Sequence, residues 1–265
     1  MKLAAQEGVV PGEGLGAKLR LLEELGVEGI ELSSHELFER LPEIKRELSH
    51  SPVKVCAICP GARDVLIAAE KEERARRIEG LKALLRAAGE LGAPGVIVVP
   101  VFGRPAFPDL RPWKSDVDLE REYFLHVLGE EILPVAAREG TAIFLEPLNR
   151  YETHLLNRLE QAVEYCRRLD GGSVKVMADL FHMAIEEANL ERAIEEAGTW
   201  IGHVHLADSN RRLPGEGHTD FAAPFRALKR NGYTGYLSLE CGRGDEVAFR
   251  RSIAHLRRLL EAAEE

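Results

Sequence analysis

Several features that would mark a membrane, secreted or nucleic-acid-binding protein are scarce in this sequence. Its 265 residues include only four cysteines, and Cys56 and Cys59 form a CxxC without the second CxxC or the histidine pair of a zinc site. The first residues, MKLAAQEGVV, lack the long apolar run of a signal peptide or membrane span. The formal net charge of −9 argues against binding to nucleic acid, because proteins that bind nucleic acid usually carry a basic patch. We therefore expect a cytoplasmic protein with reduced cysteines and with no membrane or nucleic-acid partner.

The sequence alternates regularly between apolar, strand-like runs and helix-like stretches. Strands are predicted near residues 2–6, 28–32, 53–58, 95–101, 141–146, 174–179, 201–206 and 235–240. Helices are predicted near residues 14–25, 35–48, 70–91, 119–139, 156–169, 187–197, 220–231 and 245–262. Most of the strands are continuous apolar runs, as in parallel sheets, and no glycine-rich phosphate turn favours a doubly wound sheet. The pattern predicts an α/β protein in which residues 1–265 form a single (β/α)8 TIM barrel.

Four side chains that can bind a metal lie at the ends of four successive predicted strands. Glu146, Asp179, His205 and Glu240 belong to the segments TAIFLE, VKVMAD, IGHVHL and GYLSLE. They recur at intervals of roughly 30 residues, which is the length of one barrel unit. Because the carboxyl ends of barrel strands meet at one mouth, we expect the four side chains to converge there. Three carboxylates and one imidazole suit a hard or borderline divalent cation such as Mn²⁺, Mg²⁺ or Co²⁺, with Zn²⁺ as a further alternative.

Glu146 and Glu240 are also the predicted catalytic pair. Carboxylates on two sides of a carbon acid can remove a proton from one face and return it to the other. A divalent ion beside them would polarise the neighbouring carbonyl group. His203 shares a strand face with His205 but lies deeper, so we expect it to be an interior, hydrogen-bonded histidine.

The loops that follow these strands carry candidate substrate-binding residues. Glu152 lies six residues after the first carboxylate, and His182 completes a D-x-x-H motif that can place both of its side chains in one mouth. Arg211 follows the predicted strand that carries His203 and His205, and an arginine at this position either holds a substrate oxygen or is a solvated loop residue.

The connection 102–118 is longer than a barrel requires, and loops of that length are more often functional than idle. Its aromatic residues Phe102, Phe107 and Trp113 are expected either to pack on a small substrate or to anchor their own loop. Trp113 is retained as a candidate substrate-binding residue.

The motifs EPLNRYE, DLFHMAIEE, HVHLADSNRRLPGEGHTDF and LSLEC together resemble those of the xylose-isomerase-like barrels, especially the ketose 3-epimerases of the D-tagatose/D-psicose type. The resemblance implies one Mn²⁺-like ion on the four strand-end residues and proton transfer by Glu146 and Glu240 at C3 of a small ketose. It further implies that Glu152, His182 and Arg211 bind the O1–O2 end of the sugar, and that the chain forms a homodimer or homotetramer. Segment 2–6 lacks the aromatic residues with which those epimerases receive the far end of the ketose, so the resemblance does not name the sugar.

Other enzymes of this superfamily are alternatives. An aldose–ketose isomerase of the hydroxypyruvate isomerase type, or a dehydratase of the inosose dehydratase type, would use the same metal site. Endonuclease IV, a DNA-repair barrel, needs additional histidines after its third and fourth strands. Those strand ends here are VCAICPG and VIVVPVFG, without histidine, and the acidic charge opposes DNA binding. The sequence therefore favours a sugar epimerase or isomerase over a nuclease.

Overall fold

A closed barrel of eight parallel strands forms the centre of the molecule. The computed structural model describes residues 1–61, 64–169 and 172–263. The strands, in chain order and in the order of their pairing, are β1 (Lys2–Gln6), β2 (Gly29–Ser33), β3 (Lys54–Cys59), β4 (Gly95–Val98), β5 (Ala142–Leu145), β6 (Val174–Asp179), β7 (Ile201–Leu206) and β8 (Tyr236–Leu239). Closure comes from the pairing of β8 with β1. The prediction of a single (β/α)8 TIM barrel is confirmed.

Helices connect the strands around the outside of the barrel. They are α1 (Gly14–Glu24), α2 (Leu37–Leu48), α3 (Lys71–Leu91), α4 (Asp116–Val127), α5 (Leu133–Arg138), α6 (Leu159–Leu169), α7 (Leu180–Glu186), α8 (Leu190–Ala197), α9 (Ala222–Arg230) and α10 (Glu246–Ala262). One π-helical turn, Leu128–Ile132, joins α4 to α5 within the predicted helix 119–139. Helix α7 was not predicted, because seven residues are too few to show a helical repeat. Among the described residues, no helix has both the length and the apolar character of a membrane span.

Successive side chains of each strand point alternately outward and inward, and so they belong to two separate apolar layers. On β5, Ile143 and Leu145 point outward and join the large core between the barrel and its helices. Phe144 points inward and packs with Ala57, Ile97 and Met177 inside the barrel. The next inward position after Phe144 is residue 146, one step nearer the carboxyl ends of the strands. The apolar interior therefore forms a floor beneath the polar residues at the mouth.

The loop between β7 and α9 is fixed by the buried carboxylate of Asp208. This carboxylate accepts hydrogen bonds from the backbone N–H groups of Ser209, Gly215 and Thr219. Burial alone would raise the pKa of Asp208, but the backbone donors outweigh it and lower the pKa to about 2. Because Asp208 binds both ends of the loop, it also fixes the position from which Arg211 projects.

A methyl group at Gly95, the first residue of β4, should disrupt the barrel. It would overlap the carbonyl oxygen of Ala142 and the ring of Phe144, and neither group can move without disturbing a strand. We expect Gly95→Ala to lower the free energy of unfolding by about 2–4 kcal/mol, measured by urea denaturation. Gly80→Ala is the control, because its methyl group would meet no described atom within 4 Å and would gain about 0.5–1 kcal/mol of helix propensity. Equal stabilities of the two variants would contradict the packing described here.

The hydrogen bonds that Asp208 accepts from its loop, here called the Asp208 clamp, should make part of the stability of the fold depend on pH. A carboxyl group whose pKa is depressed in the folded state stabilises the fold above its unfolded pKa, about 3.9, and that contribution is lost as pH falls through the folded value of about 2. We expect Asp208→Asn to be less stable than the wild type at pH 6. The difference in free energy of unfolding should narrow by about 1 kcal/mol between pH 6 and pH 3. Urea denaturation at both pH values measures it, and a difference that does not change with pH would exclude the clamp.

Candidate active site

The four residues predicted to bind a metal converge at the mouth of the barrel. One ligand atom from each of Glu146, Asp179, His205 and Glu240 lies within 4.8 Å of the corresponding atoms of the other three. The first three side chains are buried, and Glu240 is partly exposed. Their strands, β5 to β8, are neighbours in the barrel, so each side chain approaches the common centre from a different direction. The structure thus forms a candidate metal site from these four residues.

Asp179 owes its orientation to the helix that follows it. Its Oδ1 accepts hydrogen bonds from the backbone N–H groups of Phe181 (2.7 Å) and His182 (3.1 Å), which caps the N-terminus of α7. Its Oδ2 is then directed toward the centre and lies 3.7 Å from His205 Nδ1. Helix α7 therefore fixes the position of one carboxylate oxygen of Asp179 and leaves the other free to bind a metal ion.

Polar atoms at the centre lack partners. His205 Nδ1 and Glu240 Oε2 are 3.4 Å apart, and both are buried without a hydrogen bond to any described residue. A buried polar atom without a partner costs free energy, and such atoms are rare in folded proteins. Donor atoms of this kind, from three carboxylates and one imidazole, fit a divalent cation with mostly oxygen ligands.

The electrostatics of the centre point the same way. Burial and the negative charge of Glu240 raise the pKa of Glu146 well above its ordinary value. For His205, burial alone would lower the pKa, but the charges of Glu31 and Glu240 raise it well above the ordinary value. Without a cation, burial of Glu146 and the negative charges around both side chains therefore favour their protonated forms. A bound cation would instead compensate for these negative charges.

Glu31, on β2, lies beside the four proposed metal ligands and forms one polar cluster with them. It was not predicted from the sequence. It is fully buried and contacts Nε2 of His203 at 2.7 Å and Nε2 of His205 at 2.9 Å. Burial would raise its pKa, yet attraction to His205 and the hydrogen bonds from the two histidines hold the pKa far below the usual range. The alternation in GIELS could have revealed it, because Ile30 and Leu32 face outward and so direct residue 31 into the barrel. His203 is an interior, hydrogen-bonded histidine, as expected.

A pocket opens above the cluster. Glu146, Glu152, His182, Arg211 and Glu240 line it together, and the space, including its mouth, measures about 560 Å³. The charged and hydrogen-bonding side chains of this lining suit a small polar molecule. The structure thus brings both predicted catalytic glutamates and three of the four predicted substrate-binding residues to one pocket.

His182 presents a hydrogen-bond donor to that pocket. Its Nδ1 accepts the backbone N–H of Asn149 at 3.2 Å, so in the neutral ring the proton is on Nε2. Nε2 is buried, has no partner among the described residues, and lies 4.0 Å from Glu146 Oε1 and 3.9 Å from Asp179 Oδ2. Asn149, which the sequence analysis also missed, therefore sets the tautomer of His182.

Arg211 and Glu152 form a pair across the pocket. Arg211 Nη1 donates to Glu152 Oε1 at 2.9 Å, and the guanidinium lies over the ring of Phe181, 4.8 Å from its centre. Arg211 has a φ of 58°, a left-handed conformation that a non-glycine residue adopts at some cost. Arg211 Nη2 lies 3.8 Å from Glu240 Oε2. The arginine is therefore held between the predicted substrate-binding and catalytic carboxylates.

The aromatic residues of the connection 102–118 divide between pocket and loop. Phe102 lines the pocket, whereas Phe107 packs edge-on against Tyr123. The structure does not bring Trp113 to the pocket: it is 71% exposed and borders a separate cleft on the outside of the barrel. The reason is a tight antiparallel bridge between Leu110 and Lys114, which turns this part of the loop outward.

Comparisons with known proteins agree with this architecture. Residues 19–259 match the sequence model of the xylose isomerase-like TIM barrel family. Over 265 aligned residues the chain is 36% identical to 3-dehydro-D-guloside 4-epimerase of Escherichia coli K12, covering 97% of this chain and 99% of that protein. It is 30% identical over 237 residues to D-psicose 3-epimerase of Agrobacterium fabrum, covering 85% and 78% of the two chains. The crystal structure of apo 3-keto-D-glucoside 4-epimerase from E. coli matches with a TM-score of 0.86 and 32% identity, covering 97% and 99%. The chain therefore belongs to the xylose isomerase-like TIM barrel family of enzymes, and the relatives named here are epimerases, which are isomerases.

Proposed function

We propose that the chain is a metal-dependent sugar epimerase that inverts a carbon next to a carbonyl group. The observation that carries the proposal is the placement of Glu146 and Glu240. Both carboxylates line the pocket, from β5 and from the end of β8, while Asp179 and His205 lie buried beside them. A substrate lying between the two glutamates would present opposite faces of one carbon to two proton-transfer groups.

The proposed metal ligands are Glu146, Asp179, His205 and Glu240. Mn²⁺ suits three oxygen ligands and one nitrogen, and Mg²⁺, Co²⁺ or Zn²⁺ could occupy the same donors. When bound, a divalent cation would draw electron density from the substrate carbonyl and so make the adjacent C–H more acidic.

Proton transfer is assigned to the two glutamates. One carboxylate would remove the proton from its side of the carbon, and the other, as a carboxylic acid, would deliver a proton to the opposite side. The configuration at that carbon is then inverted, and the roles of the two glutamates exchange in the reverse reaction. Two strands separate β5 from β8, which supports the proposal that the two groups would approach a bound substrate from different sides.

Three further residues are proposed to hold the sugar. The free Nε2–H of His182 can donate to a hydroxyl or carbonyl oxygen of the substrate. Arg211 can donate to a second oxygen, and Glu152 can accept from a hydroxyl group, since their mutual ion pair is only partly buried. Trp113 has no part in this proposal because it lies outside the pocket.

Two positions of the sugar fit this chemistry. The E. coli relative that aligns over nearly all of the chain is a 4-epimerase of a 3-dehydro sugar, and C4 of such a sugar lies next to the C3 carbonyl. The Agrobacterium relative is a 3-epimerase of D-psicose, in which C3 lies next to the C2 carbonyl. The first comparison is the more extensive, so we propose C4 of a 3-keto sugar first and C3 of a small ketose second.

Removing one proposed ligand should weaken metal binding strongly. In Asp179→Ala the centre loses an oxygen that no neighbouring side chain can replace, so we expect Mn²⁺ affinity to fall by at least about 100-fold. Titration calorimetry of metal-free protein with Mn²⁺ measures the affinity and the number of ions bound. Asp118→Ala, on the exposed surface of α4, is the control and should bind like the wild type. Unchanged Mn²⁺ binding by Asp179→Ala would refute the ligand assignment.

Solvent deuterium should enter the carbon that is inverted. We expect reactions in D₂O with 3-keto sugars or with ketoses to place deuterium at C4 or C3 respectively, because each glutamate exchanges its proton with water. Glu240→Gln should lower turnover by at least about 100-fold in both directions, since an amide cannot act as the base. NMR of the product locates the label, and Glu246→Gln, on the exposed start of α10, is the control. Label confined to C1 or C2 of a ketose would indicate an aldose–ketose isomerase, and loss of water from the sugar would indicate a dehydratase.

A further inference from the structure

On the deep side of the proposed metal site, His205 contacts two polar residues, Glu31 and His203, that have no role in the proposed reaction. Glu31, His203 and His205 offer atoms within 4.8 Å of one another, and all three side chains are buried. Glu31 Oε2 lies 2.7 Å from His203 Nε2, and both oxygens lie about 3 Å from His205 Nε2 (3.0 and 2.9 Å). One carboxylate therefore contacts the same ring nitrogen, Nε2, of two histidines.

Hydrogen-bond chemistry fixes the direction of these contacts. An ionised carboxylate only accepts hydrogen bonds, so each histidine must donate from Nε2. A histidine that binds a metal is a neutral imidazole with a single N–H, so in the metal-bound state a proton on Nε2 of His205 would leave the lone pair on Nδ1. That atom lies 3.4 Å from Glu240 Oε2 and 3.7 Å from Asp179 Oδ2, at the proposed metal centre. The opposite tautomer would turn a nitrogen lone pair toward the Glu31 carboxylate.

Two neighbours hold this arrangement in place. Gln6, on β1, donates from Nε2 to Glu31 Oε1 at 2.8 Å and to Glu240 Oε1 at 3.2 Å, and so links the deep carboxylate to a catalytic one. His203 lies parallel to the ring of Phe144, with 5.4 Å between ring centres, and meets His205 edge-on. The ring of His205 is thus fixed in both its tautomer and its orientation.

We propose that Glu31 is a positioning residue that selects the Nε2–H tautomer of His205 and so makes Nδ1 the metal-binding atom. The inference rests on the proposed metal site and adds to it a residue that contacts neither metal nor substrate. A carboxylate that accepts a hydrogen bond from a ligating histidine commonly strengthens metal binding by 10–100-fold.

The first test examines the wild-type protein and needs no variant. With ¹⁵N-labelled histidine and Zn²⁺ as a diamagnetic probe, long-range ¹H–¹⁵N spectra distinguish a metal-bound nitrogen from a protonated one. We expect His205, identified by the loss of its signals in His205→Gln, to show Zn²⁺ on Nδ1 and a proton on Nε2. Zn²⁺ on Nε2, or two Zn²⁺ ions per chain, would overturn the inference, because Glu31 would then be a ligand or a bystander.

The second test changes the carboxylate. Glu31→Gln keeps the shape of the side chain but offers one acceptor oxygen to three donors. We expect its Zn²⁺ affinity, measured by competition with a chelator, to fall by about 10–100-fold and the His205 nitrogen signals to shift. Glu120→Gln is a matched control, since Glu120 is equally buried and contacts His154 Nε2 at 2.6 Å, away from the site. That variant should match the wild type in affinity and His205 signals, whatever its thermal stability.

The outcomes separate this inference from the proposed function. Wild-type protein that binds no Zn²⁺ at the four ligands would contradict the proposed metal site itself. If Glu31→Gln binds Zn²⁺ as tightly as the wild type does and its His205 signals are unchanged, only the positioning role is contradicted. An equal loss of affinity in Glu31→Gln and Glu120→Gln would likewise overturn it, because the effect would then follow from general destabilisation.

Discussion

The mouth of the barrel depends on one electrostatic constraint: four carboxylates lie around a single, fully buried imidazole at the bottom of the pocket. Glu31, Glu146, Asp179 and Glu240 all lie near His205, and negative charges brought together in a buried site repel one another strongly. The protein compensates partly with donors, from two histidines, from Gln6 and from the first N–H groups of α7. Atoms that still lack partners, His205 Nδ1 and Glu240 Oε2, face the space between the four proposed ligands. The constraint therefore explains both why the side chains are so firmly held and why a divalent cation fits among them.

The site has a rigid lower part and an upper part that can meet a substrate. Below, Glu31 and His203 are enclosed by strands and by the ring of Phe144, so they have little freedom to move. Above, Glu152 and Arg211 come from loops and are partly exposed to the pocket. Those loops are nonetheless fixed: in the first, the backbone N–H of Asn149 donates to His182 Nδ1, and in the second, Asp208 accepts from backbone N–H groups of the loop after β7. This arrangement places precise geometry where a metal would bind and adjustable contacts where different sugars would differ.

The strands and the four strand-end residues were predictable from the sequence because a barrel repeats one local pattern. Apolar runs mark strands buried on both faces, and the first polar residue after each run falls at the mouth, as Glu146 and Glu240 do. Other features followed from local interactions that the pattern does not show. Helix α7 is only seven residues long and begins because Asp179 caps it, and Trp113 faces outward because a short bridge at Leu110 turns its loop. Both depend on particular hydrogen bonds rather than on hydrophobic periodicity.

The sequence by itself determined the barrel, the order of its strands and which residue types end β5 to β8, because these follow from spacing along the chain. Only the tertiary structure decided which atoms meet. Glu31 lies 172 residues before His203, and Gln6 lies 234 residues before Glu240, yet each pair is in hydrogen-bond contact. Such contacts arise because the barrel closes, with β8 beside β1 and inward side chains meeting across its interior. That closure and the orientation of the side chains decide which nitrogen His205 turns toward the proposed metal centre and which residues line the pocket. Spacing along the chain encodes neither.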